Sequence, residues 1–292
     1  MTEFLEALPR YGFLQYALLA GILASLACGV VGAYVVSRRI SYLAGAMAHS
    51  VLGGLGAARY LQVTRDWDWC QPLYGAVTAA LVSAVVIGLV SLKARQTEDT
   101  IIGAIWALGM ALGVLFIAAT PGYGVDLMAY LFGNILLVSP VDLWLMASLD
   151  LVVALVGLGF YPQLLAVCFD EEFARLRGLN VDLYYLLLLA LTALTVVLLS
   201  TVVGLIMIIA LLTLPAALAG LFAKRLWQIM TGAVVLSALF TSLGLGLSYG
   251  PDLPAGAFII LLAGAVYLVV AMGAWLWRRR RRQTAIDPTW IN

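Results

Sequence analysis

Long apolar runs separated by short polar segments dominate the chain, covering roughly residues 13–36, 40–62, 72–92, 100–119, 141–160, 184–203, 204–222, 229–248 and 255–277. Each is near the ~20 residues a helix needs to cross ~30 Å of hydrocarbon. The pattern predicts an all-α polytopic membrane protein with nine crossings, or eight if the 184–222 block divides differently. Residues 126–138 (DLMAYLFGNILLV) are too short to span and read as a half-helix or a helix near the interface. The first run is too long for a signal-peptide core, and Glu3 and Glu6 precede it instead of a basic cluster. It reads as the first membrane helix.

The polar segments orient these runs. If Arg38 and Arg39 face the cytoplasm, the N-terminus lies outside. Alternation then places Lys93, Arg95, Arg175, Arg177, Lys224, Arg225 and Arg278–Arg282 in the cytoplasm as well. Only Arg10, Arg59 and Arg65 fall outside, and an even number of crossings would break this positive-inside pattern. Residues 1–12 become an extracytoplasmic segment and 13–277 a membrane domain carrying a cytoplasmic segment at 161–183. Residues 278–292 become a cytoplasmic basic tail, read first as a topology anchor and second as a binder of anionic lipid.

Composition agrees with the runs. About 64% of the 292 residues are hydrophobic and 11% charged, which excludes a soluble globule. A net charge of +1 gives no case for nucleic acid. Cys28, Cys70 and Cys168 are far apart with no CxxC, so neither a disulfide scaffold nor a thiolate metal site is indicated. There is no GxxxxGK[ST], so the chain has no Walker A route to ATP hydrolysis, and no HExxH or GxSxG argues for catalysis. Catalysis by this chain is not expected.

Candidate chemistry is sparse. His49, the only histidine, falls near the middle of the second run. An ionisable group at that depth faces a cavity or a polar neighbour, and neutral imidazole is a good transition-metal ligand. It reads as a transient metal ligand or gate on a translocation path, or as a packed histidine bonded to a carbonyl or hydroxyl. Asp150, mid-span in the fifth run, is a second path candidate or an interhelical hydrogen-bonding group. Pro215 deprives the Leu211 carbonyl of its partner and predicts a kink, with Thr213 offering partial compensation. Gly29, Gly32, Gly53, Gly54 and Gly56, with the Gly109/Gly113 pair, predict close helix approach and are compatible with a subunit interface.

The segment Phe169–Asn180, FDEEFARLRGLN, is the charged anomaly in this apolar chain. Asp170, Glu171 and Glu172 precede Arg175 and Arg177, the order that suits a helix dipole, and Glu171 and Arg175 form an i,i+4 pair. Gly178 and Asn180 can end the helix. The segment reads as a solvated loop helix or as a coupling helix seated in a partner's groove.

Several motifs in this order resemble the membrane permease subunits of metal-cation (zinc/manganese/iron) ABC importers. They are YVVSRRISYL, TEDTIIG, YLFGNILLVSPVDLW, FDEEFARLRGLNV, VVGLIMIIALLTLPAALA and YGPDLPAGAFIIL, and the resemblance covers roughly residues 13–277. It implies a homodimer or close heterodimer with the path at the subunit interface. Two ABC ATPase subunits would bind on the cytoplasmic side of a prokaryotic cell membrane. An extracytoplasmic metal-binding protein would deliver the ion from the other side. The coupling contact would fall on Phe169–Gly178, including Phe169, Asp170, Glu171, Glu172, Arg175, Arg177 and Gly178. No tightly bound cofactor is implied; the cargo would be a divalent ion, zinc first, with manganese or iron as alternatives. His49 matches the family histidine, but Gly45 stands where many members carry Asp, and Gly53 where a proline is common. Without that carboxylate, Mn²⁺ is less well supported than Zn²⁺ or Fe²⁺. Two other readings are a metal-chelate or cobalamin-type importer permease and, from another class, a stand-alone channel or secondary carrier.

Overall fold

The computed structural model describes residues 2–67, 69–93, 98–121, 133, 135–251 and 253–284. Among the described residues twelve α-helices make up the architecture. In chain order they begin with α1 (Thr2–Ala7), α2 (Gly12–Ser37), α3 (Ser41–Arg65) and α4 (Pro72–Lys93). Then come α5 (Glu98–Ala119), α6 (Pro140–Gly159), α7 (Tyr161–Phe169) and α8 (Glu171–Leu176). The last four are α9 (Val181–Val203), α10 (Leu205–Gly220), α11 (Leu226–Tyr249) and α12 (Ala255–Thr284).

Each of the nine apolar runs coincides with one helix. Seven of them, α2, α4, α5, α6, α9, α11 and α12, are long and apolar enough to cross a membrane. Glycine, serine, histidine and arginine dilute α3, and α10 has only 16 residues. At ~1.5 Å per residue α10 is roughly 24 Å long, short of a ~30 Å hydrocarbon layer. The half-helix expected at 126–138 falls largely on residues outside those described, with Ile135–Leu137 a single 3-10 turn. Asp126 and residues 285–292 of the basic tail are outside them too.

Helix α2 runs through the centre, packed on α11, α10, α6 and α9. Its glycines set the distances. A Cβ on Gly29 would stand 2.6 Å from the Val234 backbone nitrogen, and one on Gly32 would strike the Leu212 carbonyl. Helix α3 is clasped between α4 and α5. On one face Gly54 and Gly75 touch backbone to backbone. On the other, a Cβ at Gly53 would lie 2.8 Å from the Gly109 carbonyl oxygen and one at Gly56 2.9 Å from that of Gly113. In lipid, apolar burial gives helices little reason to associate, so close van der Waals contact must hold them, and only small residues allow it.

These contacts also fix helix directions. The pairs Gly53–Gly109 and Gly56–Gly113 make α3 parallel to α5. Asp150 beside Cys28, with Tyr34 bonded to Gly157, makes α2 parallel to α6. Gly29 against Val234 and Gly21 against Thr241 make α11 antiparallel to α2.

Helix ends follow local chemistry. Ser139 and Asp142 form a reciprocal capping box ahead of α6, with Pro140 in the first turn. Asp142 therefore has a structural partner as well as access to solvent. At the end of α2, Arg39 takes a left-handed conformation (φ 64°), and the amides of Arg39 and Ile40 donate to the carbonyls of Val36 and Val35. This is a Schellman turn with arginine where glycine is usual. Pro215 lies inside a continuous α10. The Thr213 hydroxyl bonds the Ile209 carbonyl at 2.7 Å, so it does not compensate the Leu211 carbonyl as expected.

Gly53→Val should cost about 1–3 kcal/mol through overpacking of the α3–α5 seam, read as a lower unfolding midpoint in detergent. Gly264→Ala, where an added Cβ meets nothing within 4 Å, should leave that midpoint unchanged.

Candidate functional site

The charged dozen residues form a compact turn of structure at one end of the bundle. Asp170 adopts an extended backbone (φ −152°), which ends α7 and starts α8, so Phe169 belongs to the preceding helix. Its carboxylate accepts the Phe173 amide at 2.9 Å, relieving one of the unpaired donors at a helix start. At the other end Gly178 (φ 76°) and Leu179 donate to the Arg175 and Ala174 carbonyls, a complete Schellman turn. Asn180 does not terminate α8. Its side chain caps α9 by accepting the Leu183 amide at 3.2 Å.

The ion pairs differ in pattern from the expected Glu171–Arg175 contact. Glu171 pairs with Arg38 at the end of α2, and Arg175 with Asp182 of α9 at 2.5 Å. Arg38 also donates to the Val167 carbonyl of α7 and lies over the Tyr185 ring of α9, 4.7 Å from its centroid. The Tyr185 hydroxyl meets Ser91 of α4 at 3.0 Å. One arginine thus ties α2, α7, α8 and α9 together, and α4 joins through Tyr185. Guanidinium suits this node because it is planar, multiply donating and able to lie on an aromatic face. Cys168, buried in α7, reaches toward the Tyr34 carbonyl, and burial pushes its thiol up to about 12 against the lowering pull of Arg38. It is a packing thiol, not a reactive one.

Outward, the α7–α8 segment presents grease. Phe169 is 64% exposed and Leu176 87% exposed, with Phe173 beside the Arg177 guanidinium at 4.7 Å. A groove of ≈ 590 Å³, lined by Pro162, Leu165, Ala166, Phe169, Phe173 and Leu179 among others, runs beneath them. On the other flank a polar hollow of ≈ 630 Å³ holds Arg39, Glu172 and Arg175. Exposed apolar side chains rimmed by charge are the pattern of a surface that another protein covers.

The two path candidates lie on different seams. His49 is the ninth residue of α3, closer to the middle of that helix than to its start. Its ring stacks on Trp106 of α5, centroids 4.6 Å apart, and its Nδ1 is buried without a hydrogen-bond partner. No carbonyl or hydroxyl holds that nitrogen, and the ring is packed against the indole instead. Asp150 sits at the α2–α6 seam near Ala27 and Cys28, and neither carboxylate oxygen has a partner in hydrogen-bonding geometry. No group of three or more His, Cys, Asp or Glu side chains able to hold a metal occurs among the described residues. His49 and Asp150 therefore do not form one site within a single chain.

Arg38, Tyr185, Asp182 and Trp106 were not among the sequence candidates. Arg38 registers there only as a topology marker. Trp106 registers not at all, because its partners are more than fifty residues away.

A bundle of apolar helices with a charged, capped helix at one end is the architecture of a polytopic membrane protein. The ABC 3 transport family matches residues 10–274. The chain belongs to that family, whose members are transport components, and it is a multi-pass cell membrane protein. A probable metal transport system membrane protein of Chlamydia trachomatis is 41% identical over 252 residues, covering 86% of this chain and 85% of the relative. The manganese transport system membrane protein MntC of Halalkalibacterium halodurans is 35% identical over 268 residues, 91% and 89% of the two chains. The solved structure of PsaBC from Streptococcus pneumoniae in complex with Fab superposes with a TM-score of 0.80 at 31% identity, covering 92% of this chain and 94% of that one.

Asp170→Ala should fray α8. Loss of an N-cap costs roughly 1 kcal/mol, so hydrogen exchange at the Phe173 amide should quicken roughly fivefold, with little change in the Val196 region of α9.

Proposed function

We propose that the chain is the membrane-spanning subunit of an ATP-driven importer for a divalent transition-metal ion. The observation that carries this reading is the α7–α8 segment: Phe169 at the end of one helix and Phe173 and Leu176 on the capped helix that follows are exposed, and Arg38 ties the segment to the central helix. In this reading an ABC ATPase covers Phe169–Gly178, and its closure pulls on Arg38. An extracytoplasmic metal-binding protein serves the opposite end, and a second, identical permease subunit completes the path. Nine crossings are supported by the helix directions, since α3 parallel to α5, α2 parallel to α6 and α11 antiparallel to α2 are what strict alternation requires. The short α10 spans because α2, α11 and α12 surround it with protein.

His49 is the proposed contact for the ion. Two considerations bear on the cargo. Relatives named for manganese argue for Mn²⁺. An imidazole with Gly45, not a carboxylate, one turn before it argues for Zn²⁺ or Fe²⁺, which bind nitrogen more tightly than Mn²⁺ does. Competition among the three ions decides between them.

Proteoliposomes holding the complete complex should take up at least one of Zn²⁺, Mn²⁺ and Fe²⁺ in an ATP-dependent manner, and His49→Ala should abolish or re-rank that uptake. Uptake of none of the three overturns the cargo class; unchanged uptake and ranking in His49→Ala overturns the path role. Reversing Glu171 and Glu172 to arginine should weaken ATPase capture or uncouple hydrolysis from transport. Unaltered capture and transport would remove the coupling assignment.

A further inference from the structure

Helices α10, α11 and α12 leave an apolar hollow of ≈ 570 Å³ between them. The small residues Ala219, Ala223 and Gly232 line it, beside Phe222, Leu236 and Val270. Too little side-chain volume meets there to close the space, and Phe222 at its edge is largely exposed. From Gln228 to Leu236 is ~12 Å along α11, so the hollow runs from one end of the bundle into the depth of the hydrocarbon.

That end is the one carrying the Arg38–Glu171 pair. Helix α11 is antiparallel to α2, so its first residues lie at the same end as the last ones of α2. Gly244 packs on Ile259, while Leu236 and Gly232 share the hollow with Val266 and Val270, so α12 is antiparallel to α11. Continued to the helix start, this register sets Arg225 level with Trp277. Two residues on, Arg279 lies over the Trp275 ring, 5.4 Å from its centroid.

Cations gather at the mouth of the hollow. Lys224 and Arg225 follow Ala223 directly, and both are exposed. Gln228 lines the hollow, and its Oε1 accepts the backbone amides of both residues at 3.2 Å, which holds the basic pair at the rim. Among the described residues no carboxylate pairs with either side chain, whereas Arg38 and Arg175 each have one. Trp227, Trp275 and Trp277 at this end are about half exposed, and tryptophan favours the headgroup level of a bilayer.

An apolar slot beneath unpaired cations has the two-part chemistry of a phospholipid, with the slot suited to an acyl chain and the cations to a phosphate. A water-soluble anion would leave the slot empty. A second copy of the chain, placed on this patch by a twofold axis, would bring its own Lys224 and Arg225 up to these, and like charges repel.

We propose that this hollow is a binding site for an anionic phospholipid of the cytoplasmic leaflet, its acyl chain between α10, α11 and α12 and its phosphate at Lys224, Arg225 and Arg279. The lipid fills the notch beside α10, the helix too short to cross the hydrocarbon alone. The proposal rests on the basic end facing the cytoplasm and not on which ion the chain carries.

The probe is phosphatidylglycerol, offered in competition with phosphatidylcholine. The full-length chain, taken from nanodiscs of the two lipids into detergent, should retain phosphatidylglycerol preferentially when the intact protein is weighed by mass spectrometry. Lys224→Gln and Arg225→Gln should each lower that retention roughly fivefold, which is what one cation near the membrane surface contributes. Arg65→Gln, at an exposed arginine of the opposite end, should leave it unchanged. Val270→Phe fills the slot and spares the cations, so it should lower retention as well. Val270→Leu, which adds one methylene, should lower it less and keep a near wild-type unfolding midpoint in phosphatidylcholine, so a folding defect in the larger variant does not mask the result. Excess glycerol 3-phosphate, which has the phosphate and no acyl chain, should not displace the lipid.

Equal retention of the two lipids by the wild type overturns the site, as does unaltered retention in both cation variants. If the cation variants lose the lipid while both Val270 variants keep it, the lipid rests on the basic surface and the hollow is not its site. Displacement by glycerol 3-phosphate overturns the acyl half of the assignment. A photo-crosslinker placed at position 270 should capture lipid; capture of a second copy of the chain instead overturns the proposal. If the complete complex moves none of Zn²⁺, Mn²⁺ and Fe²⁺, the cargo reading falls and lipid retention still decides this one.

Discussion

Everything in this bundle depends on helices touching at their backbones. Lipid is as apolar as leucine, so burying leucine between helices gains little. What remains is dispersion and fit, and both require side chains to be absent at the crossing points. Gly54 against Gly75, Gly53 against Gly109 and Gly32 against the Leu212 carbonyl meet that requirement on α2 and α3. Exposed leucines such as Leu115 and Leu155 then face outward without penalty.

The second constraint is electrical. Arg38 is half-buried at the end of α2, where a lone guanidinium would be costly, and Glu171 supplies the counter-charge while Val167 and Tyr185 take up further faces of the group. Removing one partner of such a pair leaves a charge without compensation, which costs more than the intact pair contributes. The α8 helix has only six residues, too few to persist alone. Asp170 and Gly178 define its ends, but the Arg38 contact holds it in place.

The nine helices were legible because each is a long apolar run, and the charged segment because it interrupts them. The boundaries of α8 were legible only in part. Gly178 terminates it as expected, while Asn180 belongs to the next helix, since a capping side chain cannot be assigned until it is known which amide it reaches. His49 was visible as the sole histidine, and its place near the middle of the second run agrees with its place in α3, because the run and the helix nearly coincide. The Arg38–Glu171 tie and the Trp106 stack were not legible at all. Both join residues far apart in the chain, and neither leaves a periodic trace.

The turn at Arg39 links these parts. Only Arg38, Arg39 and Ile40 separate α2 from α3, and the left-handed arginine with its two backbone hydrogen bonds leaves that link no slack. His49 lies eight residues beyond Ser41, roughly 12 Å along the axis. A displacement delivered to Arg38 from α8 would therefore reach the imidazole with little lost to bending, through a lever whose short arm is barely two helical turns. The charged helix and the lone histidine lie on opposite sides of one stiff corner.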